Sequence, residues 1–92
     1  MKAICDAEFL IFSSKLSLLS KIINLYELYI TDIIRDEVLK ENKPEYENIK
    51  EAIKNNKIKV INLEDDNYKI LSSLYGIDYG EASAIFLQKV WE

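Results

Sequence analysis

Wound as a helix, the segment ITDIIRDEVLKE (residues 30–41) sets Ile33, Ile34 and Val38 along one stripe. Glu37 falls on that same stripe, between the apolar positions, so the pattern directs a carboxylate where it directs its oil. The rest of the chain is more regular. KAICDA (2–7) is a short apolar run that predicts a strand with an acid near its end. Leu16, Leu19, Ile22 and Ile23 recur at helical spacing and predict a helix over about 15–24. FLIF is read as a helical turn leading into it, with Ser13 and Ser14 as capping candidates. YELYI (26–30) is aromatic and β-branched and predicts a second strand. Thr31 is the N-cap candidate for a helix over 32–41, and Asp32 suits its positive end.

Asn42 is expected to cap the next helix, with Pro44 in its first turn, Ile49 and Ile53 as its buried pair, and the NN at 55–56 as its stop. KIKVIN (57–62) alternates lysine with Ile58 and Val60, as a half-buried edge strand does. EDDN then starts a helix carrying Tyr68, Leu71, Leu74 and Tyr75 on its stripe, ended by Gly76. DYGEASAIFLQKVWE makes the last helix, expected to face Ala82, Ile85, Phe86 and Val90 inward. The order β, α, β, α-α, β, α, α implies an α/β fold with a parallel sheet and right-handed crossovers.

Composition narrows the chemistry. The 92 residues suit one domain, spanning 1–92, and 49% hydrophobic content suits a globular fold. A net charge of -4 gives no long-range attraction for nucleic acid, so such a partner needs a local basic patch or a bridging cation. One cysteine and no histidine exclude an internal disulfide, a structural zinc site and a histidine-activated nucleophile. A metal here would be held by oxygens and would be hard: Mg2+, Mn2+ or Ca2+. No run nears the ~18 apolar residues of a membrane span, and no signal peptide is visible, so a cytoplasmic protein is expected.

Three carboxylates break the pattern: Asp6 at the end of the first strand, Glu37 on the apolar stripe, and Glu81 at the start of the last helix. In open parallel sheets ligands collect at the carboxyl ends of strands and the adjoining helix starts. Each acid alone has a structural explanation. Asp6 can cap a helix, Glu37 can snorkel or pair with a cation, and Glu81 suits a helix N-terminus. Together they converge on one rim. Two acids about 4 Å apart repel by roughly 4 kcal/mol at an effective dielectric of 20, so the set calls for a cation, a shared proton or distance.

DAEFLI (6–11), YITDIIRDEV (29–38) and GEASAI (80–85) occur in that order. With these segments the chain resembles the PIN domain family of metal-dependent ribonucleases, in the archaeal and bacterial branch akin to toxins of toxin–antitoxin pairs. The family patterns are DxxxLI, xIPxxVxxEL and GEAxAI. Thr31 stands where proline is common, and Glu8 stands near where a small hydroxyl residue is usual. The resemblance implies a three-layer fold whose short parallel sheet has three strands in the order 3-2-1, flanked by helices. It implies that Asp6, Glu37 and Glu81 are catalytic and hold Mg2+ or Mn2+, with RNA as substrate. Family members continue into another strand with a further acid, so the resemblance also implies a C-terminally truncated domain without the family's last strands. Strand 1 would then be an open edge, covered by a second copy of the chain or another polypeptide. The rival expectation is an inactive PIN-like remnant that serves as a binding or oligomerisation module. An antitoxin-like protein is a third expectation, for which no DNA-binding motif is visible.

Overall fold

A strand buried on both faces reads as a continuous apolar run, and the segment Glu27–Thr31 (β2) does so: Leu28, Tyr29, Ile30 and Thr31 are all buried. The computed structural model describes residues 1–91. β1 (Lys2–Ile4) and β3 (Ile58–Ile61) lie on either side of β2, both parallel to it, so the sheet has the expected 3-2-1 order. Ile4 pairs with Tyr29, and Leu28 and Ile30 pair with Ile58 and Val60.

The helices divide between the two faces. Leu28, Ile30 and Ile58 pack with Leu10, Leu19, Ile34, Val38 and Ile49. Those partners come from α1 (Ala7–Lys15), α2 (Leu19–Leu25), α3 (Asp32–Lys40) and α4 (Glu47–Lys54). Tyr29 and Thr31 point the other way, toward α6 (Tyr79–Trp91). The Tyr29 and Trp91 rings meet edge-on at 4.9 Å, and the Thr31 and Ser83 hydroxyls lie 2.7 Å apart. α5 (Asn67–Tyr75) packs against α6. The chain is therefore α/β in three layers, with α1 to α4 packed together against one face of the sheet and α6 on the other.

Local differences from the sequence reading have identifiable causes. Residues 7–25 form two helices rather than one helix over 15–24. Asp6 starts the first, accepting from the Phe9 N–H at 2.8 Å, and FLIF lies inside it. Ser17 ends it at φ 58°, with Leu18 N–H on the Ser13 carbonyl at 2.8 Å and Ser17 N–H on the Ser14 carbonyl at 3.0 Å. That pairing is a Schellman motif built without glycine. Ser13 and Ser14 do not cap. Their buried hydroxyls donate to the Phe9 and Glu45 carbonyls. Leu16 stays exposed. Asn42 caps nothing, because a 3-10 turn at Pro44–Tyr46 precedes α4.

The stops at Asn55–Asn56 and Gly76 match expectation: Asn56 and Gly76 both take left-handed backbone, at φ 59° and 64°. Leu74 and Tyr75 remain exposed, as do Ile85 and Val90. Ala82 is buried as expected, and α6 buries Gly80, Ser83 and Leu87 with it. Its first two turns are buried through small residues, one of them polar, and an apolar stripe does not detect that.

Thr31 is the predicted N-cap, and its hydroxyl does more than cap. It accepts from the Ile34 N–H at 3.2 Å. Ser83 donates to the Gly80 carbonyl at 2.7 Å, which spends its only proton, so Thr31 donates to Ser83. Among the described residues no buried side-chain N or O lacks a partner. Thr31→Val keeps the shape, leaves the Ile34 N–H without its cap and removes the donor to Ser83. It is expected to lower unfolding stability by about 1–3 kcal/mol. Urea denaturation checks this, and an unmoved midpoint would contradict it.

Candidate functional site

Asp6, Glu37 and Glu81 come from three well-separated segments, and all three line one cavity of about 30 Å³. Asp6 leaves β1 and turns its Oδ1 onto the first turn of α1. Glu37 projects from α3, half-buried, toward the first turn of α6 rather than into the apolar core. Glu81 is in that first turn. Its backbone N–H donates to Asp78 Oδ1 at 2.8 Å. The remaining walls are Ala7, Glu8, Asp78 and Gly80, so five carboxylates and no cationic side chain line the cavity.

The electrostatics follow from that crowding. Burial first, then the Asp78 charge, push the Glu37 carboxyl above its ordinary value, with Glu81 adding a smaller push. A hydrogen bond from the Gly80 backbone and the Lys40 ammonium pull it back in part. The Asp78 charge, then desolvation, then Glu8 and Asp6 raise Glu81, which remains solvated enough that its shift is no measure of stability. Cys5, next to Asp6 in sequence, is a core residue. Burial and then the Asp6 charge push its thiol up to about 11, far from a reactive thiolate.

The donor set suits a hard divalent cation: carboxylate oxygens only, mutually repelling, with no competing lysine or arginine on the cavity wall. Among the described residues no three ligand-type side chains stand in a cluster ready to hold a metal ion, so the carboxylates ring the cavity without closing on one point. Two wider grooves adjoin it. One, of about 320 Å³, shares Ala7 and Glu37 and is walled by Ile11, Val38, Lys40 and Tyr46. The other, of about 190 Å³, shares Asp6 and Glu81 and reaches Ile85 and Gln88. Ile85 is thus exposed beside the acids, not inward.

Sequence reasoning passed over Asp78 and the role of Glu8. A signal for Asp78 was present: DYGE (78–81) has an acceptor at the N-cap and a glutamate three residues on, the spacing of a capping box. Glu8 carried no such signal beyond its closeness to Asp6.

A family model described as PIN domain (DUF3368) matches residues 2–90. No curated protein and no solved structure matches the chain significantly.

The raised Glu37 carboxyl has a definite sign in stability. Its folded value lies above 4.5, so the folded state holds the proton more tightly than the unfolded chain. Its ionisation burdens the fold near neutral pH, and the burden lifts as pH falls through the raised value toward 4.5. Melting curves across that window should show wild type gaining stability on acidification relative to Glu37→Gln. Parallel pH profiles would show that Glu37 is not under this strain.

Proposed function

The chain belongs to the PIN-domain family, and on that premise we propose that it is a metal-dependent ribonuclease domain, cleaving RNA phosphodiesters at the cavity ringed by Asp6, Glu37 and Glu81. One observation carries the reading. Carboxylates from three distant segments face one small cavity, and their repulsion is left uncompensated by any cationic side chain on its wall. Mg2+ or Mn2+ held by Asp6, Glu37 and Glu81 would supply that compensation, neutralise phosphate charge and acidify a water.

The chain's own residues prepare the rest. The helix cap holds Asp6 at the mouth of β1. Asp78 fixes the first turn of α6, and with it the root of Glu81. The two grooves give a strand room to pass on either side of the acids, and Lys40 and Tyr46 in the wider one offer a cation and a ring to a neighbouring nucleotide. No histidine base is required for this chemistry. A bridging cation also answers the net charge of -4, which by itself repels RNA. We place the activity in the cytoplasm, where a toxin-like nuclease meets its RNA.

A second reading, a non-catalytic module, is favoured by a different observation. Among the described residues β1 pairs only with β2, leaving its other side open to a second copy or another polypeptide. No ligand cluster is assembled in advance.

The two readings separate on purified protein. The nuclease reading expects cleavage of single-stranded RNA that requires Mg2+ or Mn2+ and stops with chelator. Asp6→Asn should cut that rate on the order of 100-fold or more, since even outer-shell partners of a metal are worth about 10–100-fold. Absence of both cleavage and divalent binding sinks it. A stable dimer in light scattering together with that absence is the result the second reading expects.

A further inference from the structure

We propose that Gly80 is a positioning residue of this site, its missing side chain being what lets the Glu37 carboxylate lie against the first turn of α6. Gly80 is buried and sits in a helix, where glycine is weaker than alanine. Its φ is not positive, so the backbone does not demand glycine there. The demand is spatial and comes from one residue. A Cβ at Gly80 would stand 2.7 Å from Glu37 Oε1, 2.7 Å from Oε2 and 2.9 Å from Cδ. These are closer than real Cβ contacts come, and all three atoms belong to the same carboxyl group.

That first turn is also where a carboxylate gains most. The opening N–H groups of a helix have no partner within it, and the end carries partial positive charge. Asp78 takes the Glu81 N–H at 2.8 Å. The Gly80 backbone turns to Glu37. The Gly80 carbonyl is held in turn by Ser83 at 2.7 Å. Two consecutive residues of α6 thus secure two of the acids: Gly80 seats the Glu37 head group, and residue 81 carries the other. On the metal-site reading above, Gly80 sets the reach and direction of one ligand without touching the ion.

The test has a metal-free arm and a metal arm, both on the full chain. The flexible end of Glu37 can swing aside, so in melting experiments Gly80→Ala is expected to raise Tm less when Glu37 is present than when it is absent. In a Glu37→Ala background it is expected to raise Tm by about 2–5 °C, because alanine is then merely the better helix former. The same shift in both backgrounds would overturn the proposal. In Mn2+ titrations followed by electron paramagnetic resonance, Gly80→Ala should weaken binding about 10–100-fold, the scale of a misdirected ligand. Adding Glu37→Asp, one methylene shorter, should restore part of the loss. Weakened binding with no rescue and no dependence of Tm on background would overturn it too. If wild type binds no Mn2+ at all, the metal reading fails, and the melting cycle alone still decides whether Gly80 seats Glu37.

Discussion

A short run of hydrogen bonds sets the separation of α3 from α6: the Ile34 N–H to Thr31, Thr31 to Ser83, and Ser83 to the Gly80 carbonyl. Each hydroxyl both gives and accepts, and the chain lies in a buried position where an unmade bond is costly. It ties the carboxyl end of the central strand to the first turn of the last helix. The approach of Glu37 to Asp78 and Glu81 depends on that tie. Glu37 leans from one of the joined helices and Glu81 rises from the other, so the width of the acidic cavity follows from the Thr31–Ser83 contact.

The acids of the cavity are held in place by groups that would exist in any well-made fold. Asp6 caps α1, Asp78 caps α6, and Glu37 rests on a helix end. Structural and chemical explanations of these residues are therefore not rivals. A helix N-terminus fixes a carboxylate's orientation at small cost, because the partial charges favour it. What stability does not explain is the company they keep. Burial and then Asp78 raise Glu37, Asp78 and then desolvation raise Glu81, and local folding gains nothing from that crowding.

Where an element reports itself through a side chain of the expected kind, the sequence was enough to find it. β2 shows its burial as an unbroken apolar run, Thr31 shows its cap, and Gly76 shows its stop. The break at Ser17 was invisible because serine is not the residue that left-handed backbone prefers, and the helix end is made by backbone bonds alone. The face of α6 was read only in part for a related reason: Ala82 was found, but Gly80 and Ser83 are buried by closeness of approach, not by bulk. The site divides in the same way. Asp6, Glu37 and Glu81 stood out as charges in apolar or strand-end positions. Asp78 reads only as the first residue of the last helix segment. The requirement for Gly80 depends on a contact between residues 37 and 80, which no one-dimensional pattern encodes.

The cap made by Asp6 has a bearing on how such a position ages in a lineage. Asparagine starts a helix about as well as aspartate does. If the cavity fell out of use, the fold would not resist exchange of the carboxylate for the amide, and α1 would stand unchanged. Retention of the acid itself along a lineage would therefore register selection on chemistry, whereas retention of the helix start would register nothing beyond folding.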